Sequence, residues 1–124
     1  MTMCRAFARD EQGTSAIEFA IVGPVFLGFV IGLVYLCLML FSMGSLQYAV
    51  EDAARCYSVR AFVCPDANTT VAYAQSTYLS PVVTPTFTAA TATCGHQVNG
   101  SATFNFNYVI GHTNVPLSAS ACFP

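Results

Sequence analysis

Residues 19–43 read FAIVGPVFLGFVIGLVYLCLMLFSM, and the next charged residue along the chain is Glu51. The 24 charge-free residues of the range 20–43 would form about 36 Å of helix, which exceeds the roughly 30 Å core of a bilayer. A cleaved signal peptide has a shorter apolar core of about 7 to 15 residues. We therefore predict a retained transmembrane helix.

Glycine recurs inside this apolar run. Gly28 and Gly32 form a GxxxG pattern, which lets a second helix approach closely in a membrane. The alternative is that glycine is simply common in membrane helices. Pro24 follows Gly23 near the start of the run, where proline removes one helical hydrogen bond and is expected to kink or open the helix.

The charges of the chain exclude several classes of function. The chain has only 4 Lys and Arg residues and a net charge of −2, so it offers no basic surface for nucleic acid. Beyond Asp66 no Asp, Glu, Lys or Arg occurs, and His96 and His112 have no acidic neighbour in sequence. General acid–base catalysis lacks its usual participants there. We predict a non-enzymatic protein with no cofactor, no metal and no small-molecule substrate.

The cysteines indicate an oxidised domain after the apolar run. Of the 6 cysteines, one precedes the run, one lies in it and four follow it: Cys4, Cys37, Cys56, Cys64, Cys94 and Cys122. Four cysteines in a small extracytoplasmic domain suggest two disulfides. Three pairings are possible, and we favour Cys56–Cys64 and Cys94–Cys122 because each joins segments that can lie side by side. Zinc is the competing interpretation, but Cys94-Gly95-His96 is only a fragment of a ligand pattern.

Beyond the run the helical period continues. Apolar residues recur at spacings of three and four from Leu46, Glu51 and Arg55 are suitably spaced for an ion pair, and the helix should end near Phe62 or Val63. A second helix is expected to be capped by Asp66 or Asn68 and to continue to about Leu79. Its expected end is followed by Pro81, which cannot continue a helix.

The period then changes to that of strands. Residues 86–93 and 103–109 alternate, and Asn99-Gly100 between them is a typical two-residue hairpin turn. Residues 111–116 are expected to form a loop and residues 117–123 a third strand. Phe104, Phe106 and Tyr108 would share one face that could pack on the helix. The prediction is an α+β fold, with a long transmembrane helix extending into a small domain that has a short second helix and a three-stranded antiparallel sheet.

Glu18 is a carboxylate at the start of a membrane-length helix, where a charge is costly. One interpretation is a solvated acid that interacts favourably with the N-terminal end of the helix dipole. However, the run QGTSAIEFAIVGP of residues 12–24 resembles the class III signal of type IV pilins and pseudopilins. Together with Ala53-Ala54-Arg55 and the small cysteine-bearing tail, it is most similar to the TadE-like pseudopilins of the tight-adherence pilus system. Phe19 stands where the major pilins of that system usually have tyrosine, which favours the minor component.

The resemblance implies a specific set of roles. A prepilin peptidase would cut after Gly13 and leave Thr14 as the first residue, and Glu18 with Phe19 would act in assembly. The implied partners are the membrane, the peptidase, other pilins or pseudopilins and the pilus assembly platform. The implied function is that of a structural minor pseudopilin that aids pilus assembly and adhesion.

The expected organisation is a cytoplasmic leader at 1–13, a helix at 14–63 with its span at about 19–43, and a disulfide-stapled periplasmic domain at 64–124. The chain would cross the bacterial inner membrane once, with its N-terminus in the cytoplasm. The alternative function is a membrane-anchored periplasmic binding module with no role in a pilus.

Overall fold

The computed structural model describes residues 11–108 and 111–124, and side chains within 15–107 and 111–124. It contains two helices followed by three strands: α1 Glu11–Val59, α2 Ala67–Thr77, β1 Thr86–Ala92, β2 Gly95–Tyr108 and β3 Gly111–Phe123. The predicted α+β fold is confirmed. Most of the predicted leader and Val109, the predicted end of the second strand, lie outside the described residues.

Helix α1 passes through Pro24 without interruption. It ends at Val59, before the predicted Phe62 or Val63. The chain then turns, and the Arg60 carbonyl accepts hydrogen bonds from the N–H groups of Val63 and Cys64 at 2.8 and 3.0 Å. This turn brings Cys64 back to Cys56, which a longer helix would prevent.

Helix α2 begins with a capping box. The Asp66 carboxylate accepts a hydrogen bond from the Thr69 N–H at 2.8 Å, while the Thr69 side chain accepts one from the Asp66 N–H. Of the two predicted caps, Asp66 is therefore the one used. The helix ends at Thr77, just before the predicted Leu79, because Tyr78 is already extended.

The three strands form one antiparallel sheet in the order β1-β2-β3. The predicted hairpin turn at Asn99-Gly100 is wrong, since Gly100 lies inside β2 and faces both Phe87 and Ala119. The first hairpin instead turns at residues 93–94 and is followed by Gly95, whose φ of +121° favours glycine. The predicted loop at 111–116 is also wrong, because those residues pair with 103–108 as part of β3.

Gly100 occurs where side chains of α1 lie close against the sheet. A Cβ at this position would lie 2.8 Å from Cγ2 of Val50 and 2.9 Å from both Cδ1 of Leu46 and Cε1 of Phe87. Glycine in a strand interior often marks such a close approach. The glycine that resembled a turn signal is therefore a packing requirement.

Two disulfides hold this part of the chain together. Cys56 at the end of α1 is bonded to Cys64, and Cys94 in the first hairpin turn is bonded to Cys122 near the end of β3. These are the two favoured pairings. Cys37, inside the apolar run, is free and exposed.

Candidate functional site

The first half of α1 presents apolar side chains around its whole circumference. From residue 15 to residue 36 every described residue is exposed except Gly23 and Tyr35, which are half-buried. The most exposed large side chains include Ile17, Phe19, Ile21, Val25 and Phe29. A helix that is apolar on all sides requires a membrane or other helices around it. Consistent with this, α1 contains a stretch long and apolar enough to cross a membrane.

The two glycines of the GxxxG pattern lie open on this half of the helix. A Cβ added at Gly28 or Gly32 would meet nothing within 4 Å. The helix backbone is therefore accessible there to another helix. Because 14 residues are close to four turns, Glu18 and Gly32 fall on the same side of α1.

Glu18 is exposed, and no hydrogen bond or ion pair joins it to another described side chain. Gly13 and Thr14 lie in the first turns of α1, but the side chain of Thr14 is outside the described set. The predicted processing and assembly residues thus share one helix end. The roles predicted for them are cleavage of the leader and contact with neighbouring chains.

The second half of α1 differs, because one of its faces is covered by the domain. From residue 42 onward a stripe of small and apolar side chains is buried: Ser42, Ser45, Leu46, Ala49, Val50, Ala53, Ala54 and Cys56. The facing residues of the sheet include Phe87, Val98 and Phe104, all buried. Of the three aromatic residues predicted to pack on the helix, Phe104 is buried and Phe106 is half-buried, and the centroids of these two rings are 4.8 Å apart. The side chain of Tyr108 is outside the described set.

Serine hydroxyls attach the segment after α2 to α1. Ser42 Oγ donates to the Leu38 carbonyl at 2.8 Å and lies 2.9 Å from Ser80 Oγ. The Leu79 N–H donates to Ser45 Oγ at 2.8 Å. These contacts between the serines of α1 and the segment after α2 were not predicted from the sequence. Isolated serines near the end of an apolar run give no signal of which distant segment they bind.

A polar cluster beside the Cys56–Cys64 disulfide was also missed. The Asp52 carboxylate accepts hydrogen bonds from Arg60 at 2.9 Å and from the Tyr73 hydroxyl at 2.6 Å. The hydrogen bond from Arg60 to the Tyr73 hydroxyl, together with the Asp52 charge, raises the pKa of Arg60. This cluster ties the end of α1 to α2, since Tyr73 lies in α2.

The expected ion pair between Glu51 and Arg55 is not formed. Glu51 instead accepts a hydrogen bond from Gln47, one turn earlier, at 2.8 Å. Among the described side chains the ion pair is Arg60 with Asp52. Arg60 is available to Asp52 because it follows the last residue of α1 and is not fixed by the helical spacing.

A shallow groove of about 560 Å³ runs between α1 and β3. Its lining includes Tyr48, Glu51 and Arg55 from the helix, and residues 120–123 from the strand. Nearby, the ring centroids of His96 and Tyr57 are 4.1 Å apart, and the buried Nδ1 of His96 has no hydrogen-bond partner among the described residues. Within the described residues no three His, Cys, Asp or Glu side chains cluster as metal ligands would.

Comparison with known proteins found a similarity in the N-terminal part of the chain. A family model described as TadE-like protein matches residues 13–55. No significant match was found to a curated protein or to a solved structure. TadE-like proteins are a structural, pilus-associated family rather than an enzyme family. Residues 13–55 are therefore similar to the TadE-like family, which confirms the resemblance indicated by the run around Gly13 and Glu18.

Proposed function

We propose that this protein is a minor pseudopilin of a tight-adherence pilus. It is a structural subunit, cut after Gly13 by a prepilin peptidase, that joins other pilins or pseudopilins at the assembly platform. The observation that carries the proposal is that the TadE-like match begins at Gly13, the glycine of the expected cleavage site, and covers the exposed half of α1. A support for assembly is that the described residues of this half are exposed, except for the half-buried Gly23 and Tyr35.

The chemistry of assembly follows from the charges at the helix start. Cleavage after Gly13 would create an ammonium group at Thr14. In a neighbouring copy or a related subunit, Glu18 could accept a charge-assisted hydrogen bond from such an ammonium, and low dielectric would strengthen it. This pairing offsets the cost of a carboxylate in hydrocarbon and sets the axial register between helices.

Leader processing is the first test. When the protein is co-expressed with a prepilin peptidase, intact mass spectrometry should detect loss of residues 1–13, and Gly13→Ala should abolish that loss. Gly44→Ala is the matched control, because a Cβ at Gly44 meets nothing within 4 Å and the residue is far from the cleavage site. An unchanged mass for the wild-type chain, or normal processing of G13A, would contradict the proposal.

The role of Glu18 requires a separate test. Glu18→Gln keeps the shape of the side chain and removes its charge, so it should be processed normally but recovered poorly with pili or with the assembly complex. Glu51→Gln is the control, since Glu51 is an exposed carboxylate outside the apolar run. Equal recovery of E18Q and E51Q would remove the proposed assembly contact.

A membrane-anchored binding module remains the second candidate. The groove between α1 and β3, with Tyr48, Glu51 and Arg55 in its lining, is the observation that favours it. If this function is correct, the chain keeps its leader, tolerates E18Q, and loses ligand binding when Arg55 is replaced by Ala. The mass measurement described above separates the two candidates.

A further inference from the structure

The segment between α2 and β1 leaves two large apolar side chains uncovered. Leu79 is 68% exposed and Val82 is 47% exposed. They flank Ser80 and Pro81, of which Ser80 is buried. A pair of exposed aliphatic side chains around a buried, hydrogen-bonded serine indicates a segment fixed in place with its apolar side outward.

Hydrogen bonds fix this segment at one level along α1. Because the Ser42 hydroxyl donates its proton to the Leu38 carbonyl, Ser80 is the donor in the 2.9 Å contact with Ser42. The Leu79 N–H is satisfied by Ser45 at 2.8 Å. Ser42 is the second-last residue of the 19–43 run, so the segment is held at the C-terminal end of that apolar run.

We propose that Leu79 and Val82 insert into the interfacial region of the phospholipid bilayer that surrounds α1. The membrane is the partner whose chemistry fits, because the apolar run reaches this level and residues 67–124 contain no charged side chain that would resist contact with lipid. The Leu79 N–H and the Ser80 hydroxyl already have protein partners, so inserting the segment leaves neither of these donors unsatisfied. The contact sets the depth at which the domain sits on the membrane. It rests on α1 spanning the bilayer, but not on a role in a pilus.

Tryptophan fluorescence provides the test, since the chain has no tryptophan of its own. The variants Leu79→Trp and Val82→Trp, made separately in the full chain, are reconstituted into phosphatidylcholine vesicles containing lipids brominated near the headgroup end of the acyl chains. Phe62→Trp is the matched control, because Phe62 is 93% exposed and follows the end of α1. Val59, at the end of α1, lies 17 positions after Ser42, which places it about 26 Å along the helix from the proposed interface at 1.5 Å per residue.

We expect L79W and V82W to emit at shorter wavelength than F62W. Their fluorescence should be strongly quenched by brominated lipid and only weakly quenched by acrylamide. F62W should show the opposite behaviour, which also controls for the intrinsic preference of tryptophan for interfaces. If L79W and V82W respond to the two quenchers as F62W does, the proposal is wrong. Shielding of both from lipid and from acrylamide would also overturn it, because that result means that a protein covers them.

A fourth variant separates this inference from the membrane assignment. Leu33→Trp lies in the exposed apolar half of α1 and should be quenched by lipids brominated deep in the acyl chains. Quenching of L33W without quenching of L79W would overturn the interfacial contact alone. If L33W is not quenched by these lipids, α1 does not span the bilayer and the interfacial contact is also wrong. Leader processing would still be tested separately by mass spectrometry.

Discussion

The two halves of α1 are built from similar residues but are covered in different ways. From residue 15 to Leu36 the helix is mostly apolar and exposed, apart from the half-buried Gly23 and Tyr35, whereas from Ser42 onward one face is buried against residues of the domain. Small residues occur in both halves. In the second half several of them, such as Ala49 and Ala53, are buried, whereas a Cβ added at Gly28 or Gly32 in the first half would meet no described atom within 4 Å. The buried small residues therefore mark packing positions, and a packing role for Gly28 and Gly32 against another helix stays a prediction.

The largest expected effect comes from truncating leucine in the covered half. Leu46→Ala removes a side chain that is 0% exposed, and it should lower the free energy of unfolding of the domain by about 2 to 5 kcal/mol. Leu33→Ala, at a residue 50% exposed in the first half, should leave that free energy unchanged. Hydrogen exchange of the β2 amides in detergent-solubilised protein measures both. Equal destabilisation by the two variants would break the distinction between the halves.

The second expected effect concerns the long disulfide. Replacing Cys94 and Cys122 together by Ser opens a loop with a sequence separation of 28, which the loop-entropy relation values at about 3.5 kcal/mol. Opening Cys56–Cys64, with a separation of 8, should cost less, about 2.5 kcal/mol. Denaturation of the two double variants, compared with the wild type, checks the order. If opening Cys56–Cys64 lowers the free energy of unfolding more, contacts in the turn between these residues contribute more to stability than chain entropy does.

The third comparison uses two glycines. Gly100→Ala places a methyl group within 3 Å of Val50, Leu46 and Phe87, and overpacking of this kind typically costs about 1 to 3 kcal/mol. Gly32→Ala has free space around it in the isolated chain. It should leave domain stability unchanged and weaken association with other helices, as measured by cross-linking of reconstituted protein. Unchanged stability in G100A would show that the helix and sheet can separate without loss.

The smallest expected effect is a dependence on acidity at α2. The hydrogen bonds donated by the Thr69 N–H and hydroxyl lower the pKa of Asp66 from its ordinary value of 3.8. A lowered pKa means that the carboxylate stabilises the folded state above pH 3.8, and that this contribution is lost as the pH falls through the lower folded-state pKa. Asp66→Asn keeps a capping side chain without titrating, so its stability should decline less than that of the wild type over this acidic range. Parallel pH curves for the two proteins would contradict the role of the cap.

The sequence predicted best what depends on composition over long windows. The absence of charge in 19–43 is enough to predict α1, and the alternation around Phe104 is enough to predict a strand. The four cysteines beyond the run limited the pairings to three, and the expectation that each pair joins segments lying side by side favoured the two that formed. Each of these features is either confined to one stretch of sequence or is a simple count of one residue type.

What the sequence could not specify depends on contacts between distant residues. Asn99-Gly100 is a good hairpin signal, and only the approach of Leu46 and Val50 from α1 explains why the glycine lies in mid-strand instead. The true turn at residues 93–94 has no such signature apart from the glycine that follows it. The contact of Ser42 with Ser80 likewise joins residues separated by 38 positions, and serine spacing does not encode it.

The Cys94–Cys122 bond also has a mechanical consequence. It converts residues 94–122, which contain β2 and most of β3, into a covalently closed ring. Tension applied between α1 and Pro124 would pass through the sulfur bridge rather than through the hydrogen bonds of these two strands, so the ring could not be drawn out. Under tension the chain would extend only through the residues outside the two disulfide loops. Reduction, rather than force, is what would release the remaining length.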